Sequence, residues 1–121
     1  MSVEKGFIKF PVYRNDTTPY TLEMYYKSAG AEFKTDIDTT FTDVIMEVRT
    51  GRNTNSTLVK SLSLVDGEIT VSDTNVLNFN LEMDAEGGTY FYDIKFQQVG
   101  STEFQTYIKG VVEVEDNISR A

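Results

Sequence analysis

Residues 76–83 alternate without a break. Leu77, Phe79, Leu81 and Met83 stand every second residue, separated by Asn78, Asn80 and Glu82. A period of two sends successive side chains to opposite faces of an extended chain. The segment therefore demands a strand in a sheet with one dry face and one wet face. The same period recurs at 41–50, where Val44, Met46 and Val48 alternate with Asp43, Glu47 and Arg49. It recurs again at 20–27 with Leu22, Met24 and Tyr26, and at 89–99 with Tyr90, Tyr92, Ile94 and Phe96. Helical spacing is not seen, and one helical turn at 84–88 is the most the pattern allows.

Turn chemistry divides these strands. Residues 6–13 read as a first strand, with Pro11 marking an edge or a bulge because it cannot donate to a ladder. Arg14, Asn15, Asp16, Thr17, Thr18 and Pro19 form a polar turn. Residues 28–40 read as a loop with a short edge segment at Phe33. Residues 58–64 put Leu58, Lys60, Leu62 and Leu64 on one face, with Lys60 either snorkelling or marking a bulge. Asp66 and Gly67 signal a tight turn before a short strand at 68–71. Residues 104–115 close the last hairpin. Strands recurring every ~8–12 residues point to a β-sandwich or barrel.

The chain of 121 residues fits one domain spanning 1–121, with an arm at 1–6 and a tail at 116–121 expected to fray. It has no Cys, so no disulfide staples it and no thiolate attacks or binds a metal. It has no His, which removes the commonest general base and the commonest transition-metal ligand. A net charge of −8 repels a phosphate backbone, and the eleven Lys and Arg look scattered along the chain, so nucleic acid is not an expected partner. No apolar run approaches the ~20 residues of a membrane helix, and the first residues lack the apolar core of a signal peptide. The expectation is a chain made in a cytoplasm, with no membrane partner.

The carboxylates offer two clusters. Asp36, Asp38 and Asp43 with backbone carbonyls are an oxygen-rich set of the kind calcium takes, but the Gly and the bidentate Glu of an EF-hand loop are missing. Asp84, Glu86 and Asp93 surround a turn, and a carboxylate pair does glycosidic acid–base work only inside a cleft. Turn capping and solvation account for both clusters. Sequons at Asn15, Asn55 and Asn117 are unremarkable in an Asn- and Thr-rich chain. No nucleophile–His pair, Gly-x-Ser-x-Gly elbow or phosphate-cradling Gly loop is present. No catalytic residue, metal or cofactor is expected.

Fold identity rests on 84–114. In immunoglobulin-like sandwiches a Tyr near the start of the penultimate strand bonds back to the preceding corner, two residues before an inward core position. Tyr90 fits that corner, Tyr92 the core position, and Gly88 the tight approach before them. A plain turn at Gly87 and Gly88 with Tyr90 as ordinary core accounts for the same residues. The expected fold class is all-β, an immunoglobulin-like antiparallel β-sandwich of about seven to eight strands.

The order of segments carries a further resemblance. A polar turn at 14–17 is followed by a strand ending in Met46, Glu47, Val48 and Arg49, then by 66–71 and the alternating strand. The Gly88–Thr89–Tyr90–Phe91–Tyr92–Asp93–Ile94 strand, the 107–114 strand and the ending Ile118–Ser119–Arg120 close the series. Over roughly residues 7–120 this resembles immunoglobulin-like virion domains of tailed bacteriophages. It is similar to the N-terminal domain of baseplate upper proteins and to related head or tail accessory proteins. It departs from them at 28–40, where Thr35, Asp36, Ile37 and Asp38 replace an apolar phrase, and in stopping where many of them continue.

The resemblance implies a non-enzymatic virion structural protein, either a capsid auxiliary (decoration) protein or an adaptor that attaches a fibre to head or tail. Its expected partners are other virion proteins, with self-association compatible with such assemblies. Docking is expected at residues 1–11 and 28–40 and at outward aromatics: Phe7, Phe10, Phe33, Tyr25 and Phe91. Outward aromatics also stack on sugar rings, so a carbohydrate-binding or adhesion module is the alternative from a different class.

Overall fold

The computed structural model describes residues 6–53 and 55–116. Ten strands and one helical turn follow in order: β1 (Gly6–Tyr13), β2 (Thr18–Glu23), β3 (Tyr25–Ser28), β4 (Ala31–Lys34), α1 (Ile37–Thr40), β5 (Phe41–Arg49), β6 (Leu58–Ser63), β7 (Ile69–Ser72), β8 (Val76–Leu81), β9 (Gly88–Gln98) and β10 (Phe104–Glu115). A five-stranded sheet, β1-β10-β9-β5-β6, packs on a three-stranded sheet, β2-β8-β7. In the order of an immunoglobulin-like sandwich, β2, β8 and β7 occupy the places of strands B, E and D, and β5, β9 and β10 those of C, F and G.

The alternating residues supply the core. Val44, Met46 and Val48 of β5 and Tyr92, Ile94 and Phe96 of β9 are buried, as are Leu77, Phe79 and Leu81 of β8 with Met83 just beyond it. Two aromatic groups tie the ends together. Phe10 of β1 lies 4.5 Å from Tyr20 of β2, 5.6 Å from Phe79 and 5.0 Å from Tyr92, ring centre to ring centre, so it joins both sheets. At the other end Phe96 meets Phe41 at 4.8 Å and Tyr107 at 5.3 Å. A β-bulge between Thr106 and Ile108 turns Tyr107 to that contact.

Four details differ from the sequence reading. First, β1 pairs parallel with β10, so the sandwich is not wholly antiparallel. Alternation sets faces and says nothing of strand direction. Second, the two facing sheets hold eight strands, and β3 with β4 adds a separate hairpin. The segment 20–27 is not one strand. It breaks at buried Met24, whose N–H donates to the Asn75 carbonyl at 2.9 Å and whose carbonyl accepts from Thr35 N–H at 3.1 Å. Beyond Met24 the chain leaves the sheet and turns back through Ala29 (φ 52°) and Gly30 (φ 79°), a two-residue hairpin turn.

Third, the face expected at 58–64 is interrupted. Val48 pairs with Lys60 and Arg49 with Leu58, so Val59 is an extra residue and Leu58 is exposed while Leu62 is buried. Of the two readings of Lys60, the bulge is the one found. Fourth, the helical turn sits at 37–40, not at 84–88, and Asp36 Oδ1 accepts from Thr39 N–H at 3.4 Å at its start.

Candidate binding surfaces

Among the five aromatic docking candidates, Phe10 is corrected. It is 2 % exposed and wedged between the two sheets, because Pro11 takes the outward phase of β1 and leaves Phe10 inward. Phe7 contributes its backbone to β1, opposite Lys109, and its side chain lies outside the described residues, as does the 1–5 part of the expected docking segment 1–11. Phe33 stands on β4, whose four residues are all exposed, and its ring stacks on Tyr26 at 5.5 Å and 26°. Tyr25 is half-buried at the base of the same hairpin, where its hydroxyl donates to Glu23 Oε2 at 2.9 Å. That bond holds the phenol above its ordinary titration range. Exposed Tyr13, Phe33 and Phe104 lie on three different strands.

Phe91 sits on the outer face of the five-stranded sheet, and that face carries the densest electrostatics of the described residues. Pairing of β5 with β9 places Arg49 beside Phe91, Glu47 beside Asp93 and Ile45 beside Lys95. Pairing of β9 with β10 adds Val111 beside Phe91 and Lys109 beside Asp93. Glu47 takes Lys95 Nζ at 2.6 Å and Arg49 Nη2 at 3.3 Å. The Lys95 hydrogen bond holds the Glu47 carboxyl below the usual range. Asp93 differs. Burial pushes its carboxyl up, against the pull of Lys95, and its Oδ1 is buried without a hydrogen-bond partner. The two cations that pull its carboxyl down, Lys95 and Arg49, are bonded to Glu47.

From the 51–57 loop, Arg52 reaches over the Phe91 ring, with its guanidinium carbon 4.5 Å from the ring centre. Arg52, Phe91, Asp93, Thr106 and Lys109 border a shallow depression of about 330 Å³ on this face. Sequence reasoning named Phe91 here as an outward aromatic and Asp93 only as part of a turn cluster, and missed Arg52, Thr106 and Lys109. Arg52 lies 39 positions from Phe91 and Lys109 lies 16 from Asp93, so only strand register brings them together.

The residues assigned structural parts lie along β9. Gly88 opens the strand at φ 153°, a conformation that other residues avoid. Tyr90 is half-buried, and its hydroxyl donates to the Glu86 carbonyl at 2.8 Å, back across the corner. Tyr92 is inward and donates to the Ile8 carbonyl at 2.6 Å. Beside it the hydroxyl of Tyr20 donates to the carbonyl of Pro11. Two phenols from two different sheets therefore hold β1 by its main chain.

The carboxylate clusters do not converge. Asp36 caps α1, and Asp43 Oδ1 accepts from Val44 N–H at 2.8 Å and Val65 N–H at 3.2 Å. Asp84 and Asp116 each lie 3.6 Å from Arg14 at the corner, while Asp93 is on the sheet face. Among the described residues no three carboxylates stand close enough to share a metal ion, and no helix is long and apolar enough to cross a membrane. The groups on the outer face are suited to ion pairing, hydrogen bonding and apolar contact.

No family model matches the chain, and no curated protein matches it. Among solved structures it is similar to extracellular domains 3–5 of Drosophila OTK, at 14% identity and a TM-score of 0.37, over 93% of this chain and 35% of that one. It is also similar to a family 123 glycoside hydrolase from Clostridium perfringens, at 12% identity and a TM-score of 0.40, over 93% of this chain and 23% of the other. The chain thus spans about a third and a quarter of these two proteins. Neither likeness bears on function.

Proposed function

We propose that this chain is a non-enzymatic structural protein of a tailed-phage virion, made in the host cytoplasm and assembled onto the particle. It works by docking, as a capsid auxiliary protein or as an adaptor between a fibre and the head or tail. The observation that carries this reading is the β3–β4 hairpin. It belongs to neither sheet of the sandwich, and β4 is exposed along its whole length with Phe33 46% exposed. A hairpin that adds nothing to either ladder, overlapping the 28–40 segment at which docking is expected, is suited to insertion between neighbouring subunits. The order of motifs along 7–120 and a small sandwich that needs no disulfide support the same reading.

Mass spectrometry of purified particles, followed by imaging of particles carrying a tagged chain, tests it. The expected result is a stoichiometric virion protein placed on the capsid shell or at a fibre attachment point. Absence from washed particles would sink the proposal.

A further inference from the structure

The outer face of β1, β10 and β9 changes sign along the strands. Its outward rows follow from the register. Tyr13 and Glu115 form the first row, and Pro11, Glu113 and Thr89 the second. Lys9, Val111 and Phe91 form the third, with Arg52 over Phe91, and Lys109 and Asp93 the fourth. Five of the eleven Lys and Arg, namely Lys9, Arg49, Arg52, Lys95 and Lys109, gather on this one side of a chain of net charge −8. Arg49 and Lys95 are taken by Glu47. Lys9, Arg52 and Lys109 are exposed, with no carboxylate within ion-pair distance among the described residues. One half of the patch is therefore acidic (Glu113, Glu115), the other half net cationic (Lys9, Arg52 and Lys109 against Asp93), and Pro11, Val111 and Phe91 lie between them.

A patch built of two oppositely charged halves is complementary to itself after a half-turn. We infer that two copies of this chain pair through this face about a two-fold axis near Val111, with the Lys9, Arg52 and Lys109 band of each copy against the Glu113 and Glu115 band of the other. A two-fold contact uses the same patch twice, so the sign change along the strands is the feature such an axis requires. Charge complementarity sets the register, and apolar contact at Phe91 and Val111 supplies the centre. The other acidic partner on offer, an unrelated protein, would leave the Glu113 and Glu115 band facing a like charge. Three strands ~4.8 Å apart and four rows ~7 Å apart make a patch below the ~800 Å² per partner of a standard interface, so the dimer is weak and salt-sensitive.

Sedimentation velocity of the full chain up to ~1 mM, at ~0.05 M and ~0.5 M salt, reads this directly. The expected result is a reversible dimer whose dissociation constant rises about tenfold from low to high salt. R52E/K109E, both at exposed positions, weakens it at least ~tenfold, and E113K/E115K does the same. Mixing the two variants restores a heterodimer, which a folding defect in either would not do. A chain that stays monomeric in low salt overturns the inference, and so does a dimer indifferent to R52E/K109E. The inference stands apart from the virion reading, since particle composition and self-association are measured independently.

Discussion

The hydroxyl of Tyr92 crosses to the main-chain carbonyl of Ile8, 84 residues earlier in the chain, at 2.6 Å. β1 is an edge strand with one ladder, to β10, and Pro11 withholds a donor from it. The Tyr92 bond, and its counterpart from Tyr20 to the Pro11 carbonyl, fasten that edge from inside the sandwich.

Tyr92→Phe keeps the ring among Phe10 and the core and leaves the Ile8 carbonyl without this donor. The expected cost is about 1–3 kcal/mol in urea unfolding, with faster amide exchange in β1. Burial also holds the Tyr92 phenol well above its usual range. The neutral form is then favoured in the fold, so the associated stability is full below the unfolded value of ~10 and falls as pH rises beyond it. Wild type is expected to lose stability between pH ~10 and ~12, and Tyr92→Phe to flatten that loss.

Gly110 faces the same carbonyl. A Cβ added there would lie 2.0 Å from the Ile8 oxygen, which is main chain and cannot swing aside. Gly110→Ala is expected to push β1 off β10 and to cost about 1–3 kcal/mol. An unchanged denaturation midpoint with native exchange in β1 would contradict the close approach.

Asp93→Asn is expected to stabilise the fold at neutral pH. Burial raises the Asp93 carboxyl, so charging it costs more in the folded chain than in the unfolded one. Asn removes that charge, and the gain disappears as pH falls through the carboxylate range, where wild type is neutral too. Glu47→Gln has the opposite sign. Its lowered carboxyl gives stability that is present above the unfolded value and lost on acidification, so the variant is weaker at pH 7 and converges with wild type in acid. Thermal melts across pH 3–7 (about the range in which carboxylates titrate) separate the two.

Phe10→Ala and Phe33→Ala divide core from surface. Phe10 bridges both sheets, and its loss is expected to cost about 3–5 kcal/mol. Phe33 has one stacked neighbour, Tyr26, and its loss is expected to cost no more than about 1 kcal/mol. On the virion reading, Phe33→Ala leaves a folded protein that fails to enter particles. Normal incorporation of that variant would count against the hairpin as a docking element.

The inward set was legible wherever an apolar residue returned every second position. Leu77, Phe79, Leu81, Val44, Met46, Val48, Tyr92, Ile94 and Phe96 are all buried. The rule failed in 58–64, where a single extra residue at Val59 breaks the phase. At Phe10 the error lay in reading an outward docking aromatic, although Ile8, Phe10 and Val12 alternate and Phe10 and Val12 are buried with β1 docked on β10. Alternation also cannot show that the chain leaves the sheet at Met24, because that break depends on Asn75 and Thr35 arriving there from elsewhere.

By itself, then, the sequence determined the all-β sandwich, its turns and most of its core, because side-chain phase within a strand depends on neighbours two residues away. Only the tertiary structure decided that β1 runs parallel to β10, that Gly110 must lack a side chain, and that five cations which look scattered along the chain share one face. Each of these depends on which strands lie side by side and in what register. That choice is made by packing between residues far apart in the chain.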